Sequence, residues 1–504
     1  MITFGPAAPG TPFLELKNIG KSFGGTTALD QVDWTIERGE VHCLVGENGS
    51  GKSTLIKIVA GAHAPDPGGI IVLDGVEYGA LTPHQARDLG IQVIYQDLSL
   101  FPNLTVLENI AIGLELGSPI GLVRRKAMRA AAVAALARLG AQLPLNARVG
   151  SLPVALRQIV AICRGIAFNA RLVFMDEPTA SLTRHEVGML LGVVHRLREL
   201  GVAVVFVSHR LEEVVEIAER VTVLRDGRKV GTYPASDVDD QRLTELMTGS
   251  RIEQKIVARD VRAKRPVLEV KSATRYGEFK DVSFTLHEGE VLGLTGLLGA
   301  GRTELALALF GMTRLDSGEV RIDGDRAALS SNQDAIAAGI AYVSEDRLTL
   351  GLNLRQSIAD NVSIAVLDRL QNRFGLVAPG RRESQAAEWI AKLTMRAPNV
   401  LAAAQTLSGG NQQRIVLAKW LATDPKVLLL DSPTVGVDIG NKQGIYQIIQ
   451  GLAETGVAIL LISDEIAEVY FNCDRVLHMR AGRIVDDFIP GVISENTLSE
   501  AVYA

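Results

Sequence analysis

The residues best equipped for chemistry are Gly46-Glu47-Asn48-Gly49-Ser50-Gly51-Lys52-Ser53-Thr54. Glycines at this spacing let the backbone curl so that successive N–H groups face an anion. The pattern G-x-x-x-x-G-K-[ST] sets a lysine to reach β- and γ-phosphates and a hydroxyl to ligate Mg²⁺. Lys52 and Ser53 are those two residues. A second group, Asp176-Glu177, closes the apolar run Leu172-Val173-Phe174-Met175. Asp176 suits the coordination shell of the metal. Glu177 suits taking a proton from water, a contribution worth about 10²–10⁴-fold in rate.

These groups need rigid elements behind them. Val41-His42-Cys43-Leu44-Val45 reads as a strand entering the loop, and Leu55-Ile56-Lys57-Ile58-Val59 as a helix leaving it. The dipole of that helix adds roughly half a positive charge at its start. The short apolar runs 172–176 and 202–207 suit strands buried on both faces of a parallel sheet. Ala-rich 127–139 interrupts the alternation, so an all-helical insert is expected over roughly 98–167.

The whole pattern then recurs. Gly39-Glu40-Val41 returns as Gly289-Glu290-Val291, and Leu73-Asp74-Gly75 as Ile322-Asp323-Gly324. Asp176-Glu177-Pro178-Thr179 returns as Asp431-Ser432-Pro433-Thr434, and Arg225-Asp226-Gly227-Arg228 as Arg480-Ala481-Gly482-Arg483. A chain of 504 residues is too long for one core, and a near-constant spacing between copies reads as two fused units. The expected division is a loose tail over 1–12, a first unit over 13–249, a linker over 250–266 and a second unit over 267–504. Arg251, Lys255, Arg259, Arg262, Lys264 and Arg265 make the linker basic, and it is read as solvated.

Composition removes several function classes. Lys+Arg 52 against Asp+Glu 57 leaves a net charge of −5, without the basic footprint of a nucleic-acid binder. No stretch of about 20 apolar residues is free of charge, and the first dozen residues lack the pattern of a secretion signal. Cys43, Cys163 and Cys473 lie far apart without metal-ligand spacing, as in a reduced interior. The expectation is a soluble, cytoplasmic protein whose membrane role, if any, needs a separate membrane partner.

Leu407-Ser408-Gly409-Gly410-Asn411-Gln412-Gln413 resembles the signature peptide of the ATP-binding subunits of ABC transporters. Val207-Ser208-His209 resembles the switch histidine of that family, and Tyr95-Gln96 its Q-loop. The resemblance covers nearly the full chain. It implies an α/β fold of two tandem P-loop NTPase domains, each a RecA-like core with a helical and an antiparallel β subdomain. It also implies ATP and Mg²⁺. Gly299-Ala300-Gly301-Arg302-Thr303-Glu304 and Ser344-Glu345-Asp346-Arg347 resemble the sugar-importer branch. That branch takes up ribose, xylose, galactose, arabinose and polyols, and relatives of it take autoinducer-2 or nucleosides. The implied partners are integral membrane permease subunits, expected as a homodimer, and indirectly an extracytoplasmic solute-binding protein. The implied place is peripheral, on the cytoplasmic face of the inner membrane. Within 97–102, Leu98, Leu100 and Phe101 either receive a short helix of the membrane subunit or fill the core of the insert.

In this family each ATP lies between the phosphate loop of one domain and the signature peptide of the other. The first set would then be Lys52, Ser53, Gln96, Asp176, Glu177 and His209 with Ser408, Gly409 and Gly410. Gln96 offers a metal oxygen, and His209 bonds the γ-phosphate or orients Glu177. Phe23 stacks on adenine or belongs to the core. The mirror set keeps Gly296, Gly301 and Thr303 but puts Arg302 for the lysine, Glu345 for Gln96, Ser432 for Glu177 and Asp464 for His209. Its signature is Leu152-Pro153-Val154-Ala155-Leu156, lacking the serine hydroxyl and the close-approach glycines. One competent site and one degenerate site are expected. A twin-ATPase acting on ribosomes would show two intact signatures and a long charged linker. A DNA-repair ATPase would show paired cysteines.

Overall fold

The structure, a computed structural model, describes residues 12–95, 97–115, 124–179, 182, 184–208, 211–249, 256, 259, 263–437 and 439–503. It divides into two compact units, Met1–Ile252 and Glu253–Ala504. In the first, a six-stranded sheet runs in the spatial order Arg228–Pro234, Arg220–Arg225, Val41–Val45, Ala203–Val207, Leu172–Asp176, Ile91–Ile94. Its strands pair in parallel except at the Arg228–Pro234 edge. Val41–Val45 and Ala203–Val207 are buried at every position, as continuous apolar runs between two covered faces should be. A separate antiparallel sheet, Thr26–Glu37, Pro12–Phe23, Ile70–Leu73, Val76–Tyr78, packs its apolar face with Trp34, Leu14 and Ile71 into the same core. The insert is helical as expected: Val106–Glu115, Arg125–Leu139 and Val154–Ala167 pack on one another.

The second unit repeats this plan strand for strand. Its six-stranded order is Ile340–Val343, Val427–Asp431, Ala458–Ile462, Val291–Thr295, Arg475–Arg480, Arg483–Phe488, again with the antiparallel pair at one edge. Its antiparallel sheet is Phe279–His287, Pro266–Arg275, Ser317–Ile322, Asp325–Arg326. Two apolar clusters cover the two faces of the larger sheet, one around Ile415, Leu428 and Ile459, the other around Leu305, Leu429 and Leu460.

The basic stretch between the units is less solvated than its composition suggests. Arg259 Nε lies 3.0 Å from Asp474 Oδ1 and its Nη2 donates to Gln450 Oε1 at 2.7 Å. Arg265 Nη1 lies 2.7 Å from Asp323 Oδ1. A carboxylate buried at the root of the sheet accounts for the first contact, since an unpaired buried charge is costly. The remaining basic residues expected there, except Lys264, lie outside the described residues, as does the tail before Pro12. The three cysteines are buried free thiols.

Candidate functional site

In the first unit the strand Val41–Val45 delivers the loop, and Gly51 is the N-cap of the helix Lys52–Val59. Gly51 has φ 103°, and a Cβ there would stand 2.7 Å from Ala28 O. Only glycine lets the turn lie this close to the neighbouring strand. No side chain caps the helix, so its first N–H groups face the loop interior, where an anion finds both donors and dipole. Lys52 is buried, and its Nζ donates to Gly46 O at 2.6 Å and Glu47 O at 2.9 Å, which holds the ammonium inside the curl.

Beside the loop, Ser53, Lys57, Tyr95, Asp97, Ser99 and Asp176 line a cleft of about 450 Å³. Burial raises the Asp176 pKa and the neighbouring Glu177 raises it further, while Lys52 and Lys57 oppose the rise. Glu177 follows the strand end in a left-handed conformation, φ 47°, fixed by its N–H donating to Val207 O at 3.0 Å. Strain of this kind is stored where a side chain must be aimed. A carboxylate and a hydroxyl, Asp176 and Ser53, on one cleft are hard oxygen donors of the sort Mg²⁺ prefers. Among the described residues no cluster of three or more His, Cys, Asp or Glu could hold a metal by itself.

Phe23 is 44% exposed at the end of its strand, so the core reading of it fails. Its ring meets His63 edge-on at 5.3 Å, and Lys21 Nζ lies 5.5 Å from its centroid. Leu98 and Leu100 are half-buried, whereas Phe101 is 52% exposed with its backbone held by the buried Asn109. Gln96 and His209, both expected in the site, lie outside the described residues.

The second unit keeps the scaffold and changes the chemistry. Gly301 again caps the loop helix, Arg302–Leu309, at φ 98°. Ser432 adopts the bend of Glu177, with φ 48° and its N–H donating to Ile462 O at 2.8 Å. The backbone thus aims a side chain that has no carboxylate. Arg302 faces Asp464, Asp431, Glu345 and Glu304, and burial lowers its pKa against their pull. Leu307 occupies the place that Lys57 holds on the first loop helix. Asp431 is 1% exposed and accepts from Tyr342 Oη at 3.0 Å and from Thr303.

Tyr342 and Lys57 were not singled out from sequence. Tyr342 stands in a strand otherwise apolar, Ile340–Val343, which is the signal that was available. Tyr276, 76% exposed at the hairpin matching that of Phe23, is a third such residue.

The intact signature peptide opens the helix Gly409–Leu421 with Ser408 as N-cap. Ser408 Oγ accepts from Asn411 Nδ2 at 3.1 Å. A Cβ on Gly410 would stand 2.6 Å from Asn441 Cγ, so no larger residue fits without movement. In the first unit Pro153 caps the equivalent helix, Val154–Ala167, with nearly the same dihedral angles as Ser408. Geometry is retained there while the hydroxyl and the N–H are lost.

The family model described as ABC transporter matches residues 29–180 and 279–435. Ribose import ATP-binding protein RbsA 2 of Streptomyces avermitilis is 45% identical over 497 residues, covering 99% of this chain and 97% of that protein. Ribose import ATP-binding protein RbsA 1 of Rubrobacter xylanophilus is 46% identical over 476 residues, covering 94% and 95%. Ribose import ATP-binding protein RbsA of Bacillus licheniformis is 40% identical, with coverage of 94% and 95%. Among solved structures, the ADP conformation of an ABC transporter cassette, MJ1267, matches 48% of this chain and all of its own at 25% identity and a TM-score of 0.43. The chain belongs to the ABC transporter family and carries two of its ATP-binding cassettes in tandem.

Proposed function

We propose that this chain is the ATP-binding and ATP-hydrolysing subunit of an importer for ribose or a related monosaccharide or polyol. The observation that carries the reading is similarity to ribose import ATP-binding proteins over almost the whole length of both partners. ATP is bound by the loop 46–54, where Lys52 and the helix N-terminus neutralise phosphate charge. Ser53 and Asp176, with Gln96, hold Mg²⁺. When bound, that ion screens the phosphate oxygens and lowers the cost of charge developing on them. Glu177 accepts the proton of the attacking water, His209 bonds the γ-phosphate or orients Glu177, and Phe23 stacks on adenine. Ser408, Gly409 and Gly410 complete the same site with a hydroxyl and backbone N–H groups.

Turnover belongs to that one site. The set around Gly296, Gly301, Arg302 and Thr303 holds nucleotide without hydrolysing it, because Ser432 supplies no base and Pro153 no donor. No helix among the described residues is long and apolar enough to cross a membrane. On this reading, which the ribose import relatives support, the chain acts on separate permease subunits from the cytoplasmic face, docking them beside Phe101. Labelled ribose, xylose and a nucleoside are offered to cells lacking this chain. Rescue of ribose or xylose uptake by the wild type but not by Glu177→Gln is expected. Rescue of nucleoside uptake alone, or co-purification with ribosomes instead of membrane proteins, overturns the assignment.

A further inference from the structure

Ser344-Glu345-Asp346-Arg347 builds a fastening inside the second unit. Asp346 turns the chain: its N–H donates to Ser344 Oγ at 3.2 Å, and its carboxylate accepts from the N–H groups of Leu348 and Thr349 at 3.2 and 3.0 Å. Arg347 then opens one wide helical turn, Arg347–Gly351, and its side chain leaves for other elements. Nη1 donates to Val435 O at 3.0 Å and Nη2 to Gly436 O at 3.2 Å, in the loop that follows Ser432-Pro433-Thr434. The same guanidinium lies against the start of the signature helix, since a Cβ on Gly409 would stand 3.0 Å from Nη2. One planar fork, which a lysine could not reproduce, joins three segments.

Among the described residues the hydrogen-bond partners of this guanidinium are carbonyls and not carboxylates. Burial lowers the Arg347 pKa, and Nε is buried without a hydrogen-bond partner. A cation beside a helix N-terminus also faces the positive end of the dipole. The first unit has lost the arginine together with the signature. Leu98 stands as far beyond Ile91–Ile94 as Arg347 stands beyond Ile340–Val343, and Val154 stands where Gly409 leaves room for the fork. Leu98 and Val154 are thus the positions corresponding to Arg347 and Gly409.

We propose that Arg347 is a positioning residue for ATP turnover. It fixes Ser408-Gly409-Gly410 in the attitude that meets a γ-phosphate and ties that attitude to the segment carrying Glu345. The inference rests on the reading that this peptide completes the Lys52 site. The test uses the full chain with Arg347→Leu, Arg347→Lys, Ser408→Ala and the Arg347→Leu/Ser408→Ala double variant, with ATP turnover, ADP affinity and thermal unfolding measured on each. Arg347→Leu is expected to lower kcat by about tenfold or more, as loss of two charge-assisted bonds implies, with ADP affinity within about twofold. Arg347→Lys should recover little. The double variant should fall no further than the worse single one, because both changes act through one peptide. Wild-type turnover in Arg347→Leu, or parallel loss of ADP affinity and thermal stability, overturns the positioning role. Unchanged turnover in Ser408→Ala overturns the composite reading instead, and so removes the ground of this inference.

Discussion

The two glycine loops differ in charge far more than in shape. Gly51 and Gly301 cap their helices at φ 103° and 98°, and Glu177 and Ser432 share one left-handed bend. Around the first loop two ammonium groups, Lys52 and Lys57, answer two carboxylates, Asp176 and Glu177. Around the second, the Arg302 guanidinium faces Asp464, Asp431, Glu345 and Glu304. The shared shape comes from packing, because the loop, the strand ends and the helix starts are fixed by the sheet that carries them. The charges carry no such duty. A cassette can therefore keep its architecture while the charges around its loop change.

The contrast is broken most directly at the proposed proton acceptor. Glu177→Gln is expected to lower ATP turnover by about 10²–10⁴-fold with ATP binding retained, while Ser432→Ala leaves turnover within about twofold. Equal losses in a steady-state ATPase assay would erase the distinction between the cassettes. One step smaller, Lys52→Ala should cost about a hundredfold in kcat/KM and Arg302→Ala only a few-fold, since in the proposed mechanism only the first cation stabilises a transition state.

Stability offers a probe of the second unit alone. Burial, and then the neighbouring Glu465, push the Glu468 carboxyl up to about 7 from 4.5. Its contribution is complete below the ordinary carboxylate range and is lost as pH rises through about 7. Glu468→Gln should thus stabilise the second unit at pH 8 by on the order of a few kcal/mol at most, with the gain shrinking toward pH 5. Calorimetric unfolding at the two pH values reads the sign. The smallest effect is at the exposed rings. Phe23→Ala should raise KM for ATP about fivefold with little change in kcat, and Tyr276→Ala should leave both within about twofold.

Much of this was legible because it is local. The loop glycines, the strand before them and the acid pair after Met175 are contiguous stretches whose spacing already dictates geometry, and the repeat exposed both copies at once. The helical insert came through for the same reason. Arg259 did not, because its partner Asp474 is distant in sequence and composition alone reads as solvent. Nor did the exposure of Phe23, which an apolar residue at a strand end does not announce.

What the amino-acid order determined by itself was the pair of glycine loops, their doubling and the replacement of a glutamate by a serine in the second. Each is a matter of residue type at short range. The tertiary structure alone decided which charges face one another: Lys57 with Asp176, Tyr342 with Asp431, and the Arg347 fork with the carbonyls of Val435 and Gly436. Electrostatic and hydrogen-bond energies depend on distance and burial, and chain folding sets both between residues that the sequence keeps far apart.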